Sequence, residues 1–244
     1  MTSKQNKMTF WEHLDELRRC LIYSFLTVLL FSIIASFFSE NIKDFLMNPI
    51  KPDIVGNNKI TLVYNDPLSP FFLYMSISFF TGFFFSIPVV MYNILNFVSP
   101  AVNRFKVSLF VIVLTFSTAL FFTGILFTYK ALIPISFSFL ISFAGGEEMI
   151  FSINNIIHKI LLICFCIGLV FQMPIIAFFL AKLSLLSSDF LSKNRRYAIL
   201  ISFIVSAMIT PPDFISQIIL GVPIIILYEI CILIAKAVGR KNDK

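Results

Sequence analysis

Charge is scarce in this chain. Of its 244 residues only 13% are Asp, Glu, Lys or Arg, while 58% are hydrophobic. A water-soluble domain carries roughly 25% charge. A chain this apolar cannot hide its surface in one water-soluble core, so it must use lipid as solvent. Histidine is scarcer still. His13 and His158 are the only two, and the topology argued below puts them at opposite faces of the membrane, which excludes a histidine metal site or a triad built on both. A Gly-rich phosphate loop followed by Lys and Ser/Thr is missing, and so is H-E-x-x-H; neither that type of nucleotide site nor a zincin is encoded. Cysteine is confined to Cys20, Cys164, Cys166 and Cys231, all in or beside apolar runs. None lies in a long polar loop where a structural disulfide would be expected. Cys164 and Cys166 would point about 200° apart on a helix and read as small apolar fillers. No internal repeat or low-complexity tail is visible. A cleavable leader is not expected either: Met1 to Arg19 is polar and charged, and the apolar run after it is too long for an h-region and lacks a small-residue cleavage site.

What the chain does have is long apolar runs. A spanning helix needs about 20 apolar residues. Such helices are expected at about 21–38, 70–97, 107–129, 157–181, 197–210 and 215–235. The fold class is therefore all-α: a bundle of six transmembrane helices forming one integral membrane domain over 1–244. A polar loop is expected from Ser39 to Ser69. Pro88 and Pro174 should kink the second and fourth spans. The apolar stretch Ile135 to Phe143 reads as a helix extension or an interfacial segment. Thr210-Pro211-Pro212-Asp213 stops a helix, which leaves the fifth span short and the membrane there locally thin.

The basic residues orient the bundle. With both termini inside, the outer segments hold only Lys43, Lys51, Lys59, Lys130 and Lys159, and the other fourteen Lys and Arg lie inside. This is the positive-inside bias, and it places both termini in the cytoplasm. It also explains the net charge of +6 without nucleic acid, because the basic residues are scattered in short loops and form no stripe.

Polar groups at membrane depth are expensive and so informative. Gln172 sits inside the fourth apolar run, two residues before Pro174; Gln217 and Glu229 sit in the sixth. For the glutamines, an interhelical hydrogen bond worth about 0.6–2 kcal/mol competes with a role in partner or substrate binding. Glu229 is near the inner end of its helix and within reach of headgroup water. Lys130 is expected to snorkel to the outer interface.

The segment before the first span is more unusual. Phe10, Leu14, Leu17 and Leu21 recur at spacings of four, three and four, one helical face, with Glu12, Asp15, Glu16 and Arg19 elsewhere. This predicts an amphipathic helix over about 9–20, lying on the inner surface and running into the first span. Three carboxylates there run against the positive bias. One reading is an exposed anchor helix with internal pairs such as Asp15 with Arg19. The other is a receptor for a cationic ligand, best for guanidinium, which a carboxylate holds bidentately.

His13-Leu14-Asp15-Glu16-Leu17-Arg18 resembles the N-terminal signature of TatC, the core subunit family of the twin-arginine protein translocase. Four further landmarks follow in order: Ser69-Pro70-Phe71-Phe72, Phe97 to Pro100, Phe171-Gln172-Met173-Pro174, and Thr210-Pro211-Pro212-Asp213 with Ser216-Gln217. The resemblance covers almost the whole chain. It implies a concave six-helix bundle in the inner membrane of a bacterium, rather than a thylakoid or other organellar membrane. It implies binding of signal peptides with two consecutive arginines, and assembly with TatA and TatB-type single-span subunits and with further copies of itself. Folded proteins are then exported on the proton-motive force, with no cofactor and no catalytic residues. By the same resemblance Glu16 is the carboxylate that takes an arginine, with Arg18 and Leu21 beside it, and Phe97 is a recognition position. Gln172 stands where relatives often carry Glu. Asp213 and Gln217 match positions at the outer side, and Thr210 and Gln217 lie near where partner helices dock. One departure stands out: Lys106 occupies a position where much of the family carries a second acid. Asp15 or Glu12 is expected to supply that charge. A solute transporter would more often show repeats and mid-membrane charge, and an intramembrane enzyme would need a nucleophile with a base or a metal cluster at one depth. The chain shows neither pattern.

Overall fold

The computed structural model describes residues 10–51, 60–99, 107–143, 149–209 and 214–242. The first helix, α1 (Phe10–Ser36), has neither Pro nor Gly in its 27 residues and runs unbroken. The expected surface helix is therefore not a separate element. It is the first turns of the same rod that becomes the first span, and its Leu14 and Leu21 are exposed. The short helix α2 (Ser39–Met47) follows within what reads as a polar loop. It turns Leu46 and Met47 into the bundle, and Ile50 beyond it is fully buried. The Tyr129 hydroxyl donates to the Phe45 carbonyl (2.5 Å), and the two rings stack at 4.7 Å. Strand β1 (Ile60–Val63) then leads to α3 (Ser69–Val98), which keeps Pro88 inside its 30 residues.

Helix α4 (Val107–Phe127) passes through a π-helical turn, Thr128–Leu132, where the Ile133 N–H bonds the Thr128 carbonyl five residues back. It continues as α5 (Ile133–Phe143). The wide turn lies just before Pro134, whose ring would collide with the carbonyl four residues earlier in a regular α-helix. The apolar run 107–142 is thus one long rod rather than a span ending near 129. Strand β2 (Met149–Ser152) pairs in parallel with β1, Ile60 opposite Met149 and Val63 opposite Ser152. This ribbon joins the segment after α2 to the one after α5.

Pro174 does more than kink the next run. It splits it into α6 (Ile153–Val170) and α7 (Met173–Lys182), with Pro174 in the first turn of α7. The Gln172 N–H turns back to the Leu169 carbonyl (3.0 Å), and the Gln172 carbonyl accepts from both Ile175 and Ile176. The short α8 (Ser188–Lys193) leads to α9 (Arg195–Ile209) and α10 (Phe214–Asn242). Among the described residues, five helical runs are long and apolar enough to cross a bilayer: those beginning at Trp11, Ser69, Val107, Ile153 and Phe214. At 15 residues α9 falls short of that length.

Lipid supplies no hydrophobic drive between helices, so close packing must hold them together. Antiparallel α1 and α3 share the most extensive contact in the bundle. Within it a Cβ on Gly82 would overlap the backbone of Ser32, with Ser32 Cα only 2.5 Å away. Ser78 and Ser86, one turn to either side, are also buried. This small-residue stripe lets the two backbones touch. Helices α4 and α6 lock by exchange: Gly168 of α6 faces the Phe121 ring of α4, and Gly124 of α4 faces Phe171 just after α6. Around them Phe83 of α3 meets Phe165 of α6 edge-on at 4.9 Å. Ile77, Ile87, Ile157 and Leu161 complete the central core.

Candidate functional site

Where the first turns of α1 pass the last turns of α3, the bundle opens into a cavity of about 460 Å³. One wall is α1, with Glu12, Asp15, Glu16, Arg19, Cys20 and Tyr23. The other is α3, with Asn93, Asn96 and Phe97. Each set has helical spacing: Glu12, Glu16, Arg19 and Tyr23 lie four, three and four apart, and Asn96 and Phe97 follow Asn93 by three and four, so each forms one face. The walls are tied together by Asn93 Nδ2 donating to Ser24 Oγ (3.2 Å). Outside the cavity the His13 ring stacks on Phe97, centroids 4.3 Å apart and planes 11° from parallel.

The charge of the lining is three carboxylates against one guanidinium, which favours a cationic guest. Glu16 is the most notable of the three. Its Oε2 is shielded from solvent and makes no hydrogen bond. His13 Nδ1 lies 4.0 Å away, close enough for an ionic contact but too far for a hydrogen bond. A buried carboxylate oxygen without a donor is costly. A guanidinium offers five N–H groups in a fork matched to a carboxylate.

The structure thus brings Glu12, Asp15, Glu16 and Phe97 to one cavity. It does not bring Arg18 or Leu21 there: neither lines it, and Leu21 is 61% exposed. Lys106, Thr210 and Asp213 lie outside the described residues. Asn93 and Asn96 of the lining are absent from the residues the sequence singles out. The helical spacing was there to find them, but no chemical motif drew attention to an amide.

The other polar positions are tied up within the bundle. Gln172, 5% exposed, sits at the α6–α7 break. Its Oε1 accepts from Ser117 Oγ (2.6 Å) and its Nε2 donates to the Ser117 carbonyl (3.1 Å). Gln217 of α10 donates to the Phe203 carbonyl of α9 (3.0 Å), and Ser216 beside it bonds Ser136 of α5. Glu229 forms an ion pair with Arg195 (3.0 Å), both well exposed. Among the described residues no group of three or more His, Cys, Asp or Glu is placed to hold a metal ion.

The family described as "Sec-independent protein translocase protein (TatC)" matches residues 12–223, most of the chain. This chain belongs to the TatC family. Among its TatC relatives, the Sec-independent protein translocase protein TatC of Desulforapulum autotrophicum is 34% identical over 244 residues, 100% of this chain and 90% of the relative. The TatCy protein of Bacillus subtilis is 34% identical, covering 99% and 94% of the two chains. A TatC from Aquifex aeolicus is 31% identical, covering 97% and 98%. Two crystal structures of a TatC described as a twin arginine translocase receptor are similar to this fold. Their TM-scores are 0.81 and 0.82 at 31% identity, and they cover 93% and 91% of this chain. The apolar helices and the TatC relatives together make it a multi-pass membrane protein.

Proposed function

We propose that this chain is the receptor and core component of a twin-arginine translocation system: it binds signal peptides carrying two consecutive arginines and exports folded proteins across the membrane on the proton-motive force. The observation that carries this reading is the cavity between α1 and α3, where Glu16 presents a buried, undonated oxygen beside Glu12 and Asp15. A pair of arginines brings two guanidinium forks, and the lining offers three carboxylates for them. Asp15 and Glu12 in that lining support the substitution expected from Lys106: the second charge comes from the α1 wall. Arg18 and Leu21 then belong to the outer approach to the site, beyond the cavity itself.

The topology belongs to the same proposal. Both termini are cytoplasmic, which puts the cavity at the inner membrane surface of a bacterium, where a newly made precursor arrives. Helix α9 is the short fifth of six crossings, in a bilayer thinned around it. The Arg195–Glu229 pair lies at the α9 start and in the inner half of α10, which fits both being at the inner side. TatA and TatB-type subunits dock at the last helix pair, near Thr210, Asp213 and Gln217, and several copies assemble in the receptor complex. The two hydrogen bonds to Ser117 favour a bundle-holding role for Gln172 over partner docking.

The test is photocrosslinking of a twin-arginine signal peptide to the chain in membranes, wild type against Glu16→Gln. Crosslinks that need both arginines and fade in the variant are expected. An arginine-independent pattern, unchanged in the variant, would overturn the receptor reading.

A further inference from the structure

His13 lies outside the cavity lining, yet it touches both of the groups that matter most there. Its ring stacks on Phe97 at 4.3 Å. Its Nδ1 faces, at 4.0 Å, the solvent-shielded Oε2 of Glu16. We infer that His13 is the positioning residue of this site, holding Phe97 of α3 in register with Glu16 of α1 and weakening the capture of an arginine when the imidazole takes up a proton. The inference rests on the receptor reading above.

Stacking of two flat rings fixes where Phe97 stands relative to the first turns of α1. With neutral imidazole, the Glu16 charge is left for a guest. With imidazolium, a positive charge stands beside that same oxygen. Glu16 then has an internal partner, and an incoming guanidinium meets a like charge behind it. On α1, Glu12, Asp15 and Glu16 are carboxylates, Arg19 is permanently charged, and Cys20 and Tyr23 belong to classes that ionise at alkaline pH; on α3, Asn93, Asn96 and Phe97 do not titrate. Imidazole is the side chain whose class changes charge between about pH 5 and 8. By linkage, a bound arginine must in turn disfavour the imidazolium.

The experiment uses the full chain in lipid nanodiscs and a fluorescent synthetic peptide with paired arginines, its affinity measured by anisotropy from pH 7.5 to 5.5. Wild type is expected to lose roughly fivefold in affinity across that range, the scale of one partly exposed charge pair. His13→Phe keeps the stack and cannot charge; it should give a flat profile. His13→Gln, a second uncharged variant, should also be flat. His13→Ala loses the stack and should bind more weakly at every pH. Parallel profiles for wild type, His13→Phe and His13→Gln would overturn the inference, as would wild-type affinity at pH 7.5 in His13→Ala. Failure of the receptor reading looks different: at pH 7.5 Glu16→Gln would bind like wild type, and a paired-lysine peptide would bind as well as the arginine one.

Discussion

Glu16 and Gln172 are both polar side chains set among apolar helices, and the bundle treats them differently. Gln172 is closed off: Ser117 engages both ends of its amide, and its backbone carbonyl serves the first turn of α7. Glu16 is open: it lines a cavity, and one oxygen has no donor. A polar group that is satisfied inside its own fold holds the fold together. One that is left unsatisfied at a mouth is available to a ligand. If that division is right, neutralising the two residues should move different observables. Glu16→Gln removes a charge-assisted contact of about 1.5–3 kcal/mol, a loss of roughly tenfold to a hundredfold in twin-arginine peptide affinity, and should leave thermal stability in detergent unchanged. A stability loss without a binding loss would reverse the comparison.

The two regions are also joined to the bundle differently. Among the described residues the Glu16 cavity is walled by α1 and α3, and these meet closely at Gly82 and Ser32. Gly82→Val must push α1 off α3, at a cost of about 1–3 kcal/mol. Both cavity walls move with it, so peptide affinity should fall together with thermal stability. Gly239→Ala is the control, because a Cβ there meets nothing within 4 Å; it should change neither. Gly82→Val with full peptide affinity would show that the cavity does not depend on the crossing.

The same division explains what was legible in the sequence. Glu12, Asp15 and Glu16 could be found because three carboxylates stand out just before an apolar run, and Phe97 through the TatC resemblance. Their meeting across α1 and α3 could not, since it depends on the crossing at Gly82, and a lone glycine in an apolar run carries no address. The break at Pro174 was visible, but only as a kink. That it frees the Gln172 carbonyl to start a second helix follows from backbone hydrogen bonds. Helix α2 was hidden in a segment whose average character is polar. Strand β1 has four residues, and its partner begins at Met149, so no local pattern announces it. The π turn before Pro134 turns an apparent helix end into a continuous rod, because widening one turn costs less than breaking the run inside lipid.

The closed site makes a smaller prediction. Gln172→Leu strips the partner from Ser117 Oγ and should cost about 0.6–2 kcal/mol, the range for hydrogen bonds between membrane helices. A double-mutant cycle with Ser117→Ala should recover a coupling of that size in thermal unfolding. Peptide affinity should stay at the wild-type value. If it fell as far as in Glu16→Gln, the glutamine would have to be counted with the receptor site and the division between the two regions would fail.

The finest division lies within the cavity itself, between Glu16 and its two neighbours. Asp15 and Glu12 are exposed, so their charges work through water and each is worth about 0.2–1 kcal/mol to a paired ligand. Asp15→Asn or Glu12→Gln should therefore lower twin-arginine affinity only a few-fold, and more in low salt than in high salt, because exposed pairs are screened. The loss should shrink further for a peptide with one arginine replaced by glutamine, since the second fork is the one they serve. Lys106 gives this its point: a relative with an acid there has a second charge from another segment, whereas this chain would draw it from the face that already carries Glu16. No loss for either substitution would leave the second arginine without a carboxylate partner on α1. It would mean that this receptor reads one guanidinium by charge and the other by the Asn93, Asn96 and Phe97 wall.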